Sequence, residues 1–336
     1  MTNPTLLTGK ESRWFLSKDL RLTGDLLMPR KKSFALDLEC LDDRIVPAGN
    51  ITAQFSSGDL LLFGDSLANE VRVWQNSSGD VTVRGLNNTT VNGRSQVVFR
   101  GASLNKVEAD LRGGNDVLTL QSLDVQSDVI VKMEGGNDRV NLSDTNAGNV
   151  IDILTGLGND TVRASNITVQ GDLKVNTEEG TGNVVIEQAR AEANISIISK
   201  DSNDTVRGTA MSAGGDLTVE TGKGHDVVNL ADVDVGVNLT VITDEGDDRI
   251  VLTNAAAGGD VSLEAGKGKD KLTLTDASAG ASFKVNTDHD NDSVAATNVS
   301  AAIDAIFIGG DGFDKLDDNG ITAGVELEIK EFESIS

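Results

Sequence analysis

From residue 116 onward, apolar and polar positions recur with a period of 22. Asp116, Asp138, Asp160, Asp204, Asp226, Asp248, Asp270, Asp292 and Asp314 mark the period, and Gly182 fills its one gap, so ten units follow one another without insertion. With the Asp as position 1, positions 3, 5, 8, 10, 14 and 16 are apolar at 57 of 60 sites, counting alanine; Thr145, Gly208 and Asp318 are the exceptions. The pairs 3/5, 8/10 and 14/16 are each spaced by two, the period of a strand rather than a helix. This predicts three short strands per unit, broken by turns, wound into one triangular coil with its apolar pairs inward. No unit buries that face alone, but stacked units do. The expected fold is all-β: a right-handed parallel β-helix, or solenoid, of about ten 22-residue, three-strand coils, its hand taken from the usual rule for parallel crossovers. At ~4.8 Å per coil the stack is roughly 48 Å long. Alanine holds position 10 in seven units, which predicts a tight corner there. Proline is absent after Pro47, as strands that need every N–H require.

The pattern also divides the chain. Residues 94–115 read as an eroded earlier coil, because Val107-Glu-Ala-Asp-Leu-Arg-Gly-Gly-Asn115 mirrors Val129 to Asn137. Glu70–Gln75 and Asp80–Arg84 flank Asn76-Ser-Ser-Gly79 as a hairpin. Residues 49–93 are therefore expected to form an N-terminal β cap, 94–336 the repeat domain, and 1–48 a disordered leader. A cap matters because an open β-helix end is an aggregation template. The last unit loses its pattern at Asp318 and Glu331, charges that would blunt the other end.

Composition narrows the classes. Acids outnumber bases 53 to 29, a net charge of −24. Residues 1–50 carry 8 bases and 7 acids, so the excess lies entirely beyond residue 50. Binding to nucleic acid through phosphates needs a basic face, which this chain lacks. No apolar run approaches the ~18 residues of a membrane-spanning helix. One cysteine, Cys40, excludes an internal disulfide and a multi-cysteine metal site.

Two motifs carry resemblances. Leu38-Glu-Cys-Leu-Asp-Asp-Arg-Ile-Val-Pro-Ala48 resembles the LExLExR..PA motif near the start of large planctomycete surface and secreted proteins, with Asp42 where the second Glu would stand. The resemblance implies a secreted or cell-surface location and suggests Met28 as the initiator. Gly309-Gly-Asp-Gly-Phe-Asp-Lys-Leu316 matches the calcium-binding nonapeptide GGxGxDxUx of the RTX family, and the turns ahead of six of the other eight period-marking aspartates keep GxGxD or GxD. That resemblance implies calcium bound by Asp116, Asp138, Asp160, Asp204, Asp226, Asp248, Asp270, Asp292, Asp311 and Asp314. The chemistry agrees: calcium takes six to eight oxygens, and Gly-rich turns turn carbonyls inward beside carboxylates. The RTX turns recur every nine residues on two sides; here they recur every 22 on one edge. Lys223, Lys267, Lys269 and His225 also sit in these turns, where a cation is unwelcome.

A metal-free alternative stands beside calcium. An Asp opening a strand can accept backbone N–H groups, and Asn115, Asn137, Asn159, Asn203 and Asn291 before it can form an amide ladder. Stacked carboxylates ~4.8 Å apart repel by ~0.9 kcal/mol even in water, which favours a cation among them. A second acidic column, Asp128, Asp172, Asp216, Asp260 and Asp304, mostly alternates with neutral residues and so avoids that repulsion.

The expected function is that of an extracellular or cell-surface structural or adhesive protein, not an enzyme. Its expected partners are calcium ions, cell-surface or matrix components, or further copies of itself. The alternative is a polysaccharide-processing lyase or hydrolase, for which Asp201 with Asp204 and Asp290 with Asp292 are the closest carboxylate pairs. Trp74 is the sole Trp or Tyr beyond residue 48, and no unit carries a loop that would build a cleft.

Overall fold

The computed structural model describes residues 49–336. The leader, its LExLExR-like motif and Met28 lie outside the described residues. Among the described residues there is no helix; the chain is a parallel β-solenoid.

Each coil supplies one strand to each of two sheets. The first strands are β1 (Asn50–Ser56), β2 (Asp59–Phe63), β3 (Glu70–Gln75), β4 (Val81–Gly85), β5 (Thr90–Val91), β6 (Gln96–Phe99), β7 (Lys106–Asp110), β8 (Val117–Gln121), β9 (Asp124–Val125), β10 (Val129–Lys132), β11 (Arg139–Ala147) and β12 (Ile151–Leu154). Strands β13 to β26 repeat the alternation of β11 and β12 from Asp160 to Ile308, and β27 (Lys315–Ala323), β28 (Glu326–Lys330) and β29 (Ser334–Ile335) end it. The register advances by one coil: Val129 pairs with Ile151, and Val140 with Val162.

The expected three strands per coil become two. Positions 2 to 10 form one bent strand, and positions 14 to 17 form the other. The bend has a backbone cause. Position 7 is left-handed in successive coils, at Asp144, Asn166, Gln188, Ala210, Asp232, Asn254, Asp276 and Asn298, with φ between 50° and 55°. Such a residue breaks the two-residue alternation, so positions 5 and 8, three apart, both face inward. Only the first full coil, where β8 and β9 are separate strands, keeps the break that the pattern predicted.

The six apolar columns make one core. Leu118, Val140, Leu217, Leu239, Phe283 and Phe307 are fully enclosed. Phe283 and Phe307 stack one coil apart, with centroids 6.1 Å apart and planes 4° from parallel. At the N-terminal end the pairing turns antiparallel, and it extends past residue 93. Strands β1 and β2 are antiparallel, as are β3 and β4, and β4 pairs with β6 beyond residue 93. The cap is tied into the stack because β2 and β3 also run parallel to β7 and β8.

Candidate functional site

The turn that closes each coil, positions 19 to 22, delivers the chain to the Asp at position 1. Its glycines follow from close packing of successive turns. Gly136, Gly158 and Gly246 at position 21 have φ of 143°, 140° and 147°. A Cβ on Gly136 would lie 1.6 Å from the Gly114 carbonyl oxygen, one coil back. Position 19 is also left-handed, as at Gly156, Gly222, Asp244 and Gly266. A Cβ on Gly266 would meet the Asp244 carbonyl oxygen at 1.8 Å. The glycines of the GxGxD pattern thus serve the close stacking of the turns, while Ser202 and Asp290 hold position 21 in two coils at φ of 91° and 81°.

The nine period-marking aspartates point into the solenoid. Asp116, Asp138, Asp160, Asp204, Asp226, Asp248, Asp270, Asp292 and Asp314 are each at most 3% exposed. In each, Oδ1 has a backbone task. The Asp116 N–H donates to Asp138 at 2.7 Å, Asp138 to Asp160 at 2.8 Å, and Asp204 to Asp226 at 2.7 Å. The column continues through Asp226, Asp248, Asp270 and Asp292 to Asp314, at 2.7 or 2.8 Å per step. Gly182, which has no carboxyl, still donates its N–H to Asp204 at 2.5 Å. Above that gap, the Asp160 N–H finds the Thr181 carbonyl instead. The top rung is Asn69, whose N–H donates to Asp116 at 2.7 Å. At the bottom, Asp314 donates to Glu333.

The second oxygen, Oδ2, is buried without a hydrogen-bond partner in all nine. Burial of a lone carboxylate disfavours its charged form. It pushes Asp116, Asp138, Asp204, Asp248 and Asp292 up to about 7, and Asp270 to about 8. Burial also raises Asp160, Asp226 and Asp314. The backbone N–H donated to each Oδ1 pulls the other way but does not win.

A hydroxyl column faces these acids from position 18. Thr155, Thr177, Ser199, Thr221, Thr243 and Thr287 are all buried. Thr155, Ser199, Thr221, Thr243 and Thr287 sit beside Asp160, Asp204, Asp226, Asp248 and Asp292 and ease their ionisation slightly. Yet the Thr155, Ser199 and Thr221 oxygens, like the facing Oδ2 atoms, have no hydrogen-bond partner. Each hydroxyl can donate to its facing carboxylate, and a proton on Oδ2 lets the carboxyl donate to the hydroxyl instead.

Two further ladders run outside. At position 22, the Asn137 N–H donates to the Asn115 side-chain oxygen and Asn159 to Asn137, both at 2.8 Å. Likewise His225 donates to Asn203 at 2.8 Å and Phe313 to Asn291 at 2.9 Å. His225 belongs to this ladder, since its Nδ1 accepts the Asp247 N–H at 2.8 Å. Here each side chain accepts from the following coil, whereas the Asp column accepts from the preceding one. At position 13, acid and amide alternate because both accept: Asp216 donates to Asn194 at 2.9 Å, Asn238 to Asp216 at 3.0 Å and Asp260 to Asn238 at 2.9 Å.

Asp311 is separate from the nine. Its side chain is 92% exposed and lies 3.5 Å from His289. It ends an outer column at position 20 that reads Asp201, Lys223, Glu245, Lys267, His289 and Asp311. Glu245 pairs with Lys223 at 3.4 Å and with Lys267 at 3.1 Å. The lysines that looked hostile to a cation are partners of acids one coil away. Lys269 instead donates its backbone N–H to Asp247 at 2.9 Å.

Among the described residues, no group of three or more His, Cys, Asp or Glu side chains is arranged to hold a metal ion. The closest carboxylate pairs do not converge either. Asp204 and Asp292 are inside the wall, and Asp201 and Asp290 are outside it. One shallow groove of about 410 Å³ does gather mixed charge over an apolar floor, with Ile198 and Ile242 bordered by Lys200, Glu220, Lys223 and Asp244. The sequence reading missed the threonine column and the alternating outer column, although both are visible at the 22-residue period. Compared with known protein families, curated proteins and solved structures, the chain matches none of them.

Proposed function

We propose that the chain is a non-enzymatic structural solenoid of the cell surface or extracellular space, a stiff acidic spacer that presents its flat faces to surface or matrix components. The observation that carries this reading is how the recurring polar residues are used. The carboxyls at positions 1 and 13 and the amides at position 22 are spent on N–H groups of adjacent coils, which ties the stack along its length. The leader's resemblance to planctomycete surface proteins supports export. Brief protease treatment of intact source cells tests the location: loss of the protein from the cell fraction is expected. Survival until the cells are lysed would sink the surface reading.

The same reading assigns protons to the Oδ2 atoms of the Asp column. Each rung offers one unpartnered carboxyl oxygen, joined by a hydroxyl in five of the nine, far fewer than the six to eight oxygens that calcium takes. Calcium remains the second reading, favoured by the nine oxygens that lack any partner. Thermal melts in EGTA, in calcium and in magnesium separate the two. Equal melting in all three supports protons. A calcium-specific rise that disappears when Asp270, Asp292 and Asp314 are changed to Asn supports the ion. The polysaccharide-processing alternative would use the Lys200–Lys223 groove, and release of reducing ends from acidic polysaccharides, lost in Glu220→Gln, would revive it.

A further inference from the structure

The groove at Lys200 and Lys223 lies in the middle of the stack and is built unlike the wall around it. Its floor comes from β16 (Ile195–Asp201), β18 (Leu217–Glu220) and β20 (Leu239–Ile242), where Ile198, Glu220 and Ile242 stand in register on the outer face. All three are half-buried. Beside that row, position 19 reads Lys200, Gly222 and Asp244 in the same three coils. Gly222 is a notch fixed by the backbone, since its φ is 77° and a Cβ there would lie 1.8 Å from the Lys200 carbonyl oxygen. Gly156 and Gly266 make the same notch, but their position-19 neighbours are acids on both sides, Glu134 with Glu178 and Asp244 with Asp288. Of the three, the Gly222 notch alone has a base on one side and an acid on the other.

The charges around it are not used by the protein itself. Lys223 is paired with Glu245 at 3.4 Å, and Lys267, which feels the charge of Asp244, is held by Glu245 at 3.1 Å. The side chains of Lys200, Glu220 and Asp244 have no hydrogen-bond or ion-pair partner among the described residues.

We propose that this groove binds a short apolar peptide by its two free ends. The terminal ammonium sits between Glu220 and Asp244, the terminal carboxylate at Lys200, and the apolar side chains over Ile198 and Ile242. One ammonium and one carboxylate answer all three idle charges. A polyamine would set an amine against Lys200, and a polyanion would face two carboxylates. Lys200 and Asp244 are two coils apart, ~9.6 Å, and a tripeptide spans ~10 Å end to end. The volume of about 410 Å³ falls at the small end of ligand pockets. The groove is open to solvent, which screens its charge pairs, so the affinity is weak, ~1 mM. This binding does not depend on where the protein resides.

Titration of the isotopically labelled full chain with the tripeptide Ala-Leu-Ala at low salt, followed by amide NMR shifts, tests this. Saturable shifts confined to the coils of Ile198, Gly222 and Ile242 are expected. Acetylating the amino end or amidating the carboxyl end of the peptide weakens binding about fivefold each. In Lys200→Gln the free and amidated peptides bind alike, and in Glu220→Gln combined with Asp244→Asn the free and acetylated peptides bind alike. Each variant keeps the other difference, which a misfolded chain cannot do. No saturable shift up to ~10 mM peptide, or capped peptides that bind the parent as well as the free one, would overturn the proposal. So would spermidine shifting the same amides at lower concentration than the tripeptide, because the acids alone would then be the site.

Discussion

Raising the pH should loosen this solenoid, contrary to the behaviour of proteins whose aspartates are paired with bases. The perturbation is titration of the inner Asp column. Burial moves Asp116, Asp138, Asp204, Asp248 and Asp292 from 3.8 to about 7, and Asp270 to about 8. Between pH 4 and pH 7 the folded chain therefore holds protons that the unfolded chain has lost. Stability follows the difference in bound protons, so it falls as pH rises across that window, and the column's full contribution is present only below about pH 4. For one carboxyl the interval from 3.8 to about 7 is worth ~4 kcal/mol. Whole domains are stable by only ~5–15 kcal/mol, so the column cannot ionise throughout while the chain stays folded. Neighbours one coil apart must titrate together, as a broad macroscopic transition. The assay is urea unfolding at half-unit steps from pH 4 to pH 9 with EGTA present. The midpoint should decline steadily, and Asp270→Asn, which keeps the acceptor and adds a permanent donor, should flatten the decline. A midpoint that climbs from pH 4 to pH 8, or an unchanged slope in Asp270→Asn, would refute the protonated column.

Three further outcomes follow from the same geometry. Gly136→Ala puts a Cβ on the Gly114 carbonyl at a φ of 143°, and should cost ~3 kcal/mol or more in urea unfolding. Thr221→Val removes the hydroxyl facing Asp226; it should cost ~1–2 kcal/mol at pH 5 and raise the Asp226 pKa further, as read by carboxyl NMR shifts. Phe307→Ala opens a cavity beneath Phe283 in the stacked pair and should cost ~3–5 kcal/mol, with proteolysis beginning in the last coils.

Much of the fold was legible because it is written ten times. The columns through Val140, Ile151 and Ile153 state which side chains face inward, and repetition averages out lapses such as Thr145. What single-position reading could not show was direction at the turn. An Asp after a glycine turn reads equally well as facing solvent, where a cation would meet it, or as facing inward, where a backbone N–H does. The structure decides this, since the Asp138 side chain enters the wall and accepts the Asp116 N–H. The merging of two predicted strands into one was hidden for a related reason. The residue responsible, at position 7, is Asp or Asn in six of ten units, the types that favour the left-handed region, but Ser122, Gln188 and Ala210 dilute that signal.

The choice of Asp over Asn in this column is the feature that geometry alone does not require. Asparagine would accept the same N–H through its oxygen and donate to the facing threonine without any proton to acquire. Position 13 shows that the chain uses the two interchangeably where the side chain is wet, with Asn194, Asp216, Asn238 and Asp260 in one ladder. Position 1 never does so: it is Asp or, once, Gly182. The Gly182 rung also shows that a coil can stack with no carboxyl, since its N–H still reaches Asp204 and Asp160 turns to a carbonyl. A group that is dispensable for geometry, costly when charged and not exchanged for its neutral isostere differs from that isostere in one physical respect. It can take up and release a proton, or exchange that proton for a cation, and so it couples the tightness of the stack to the medium around it.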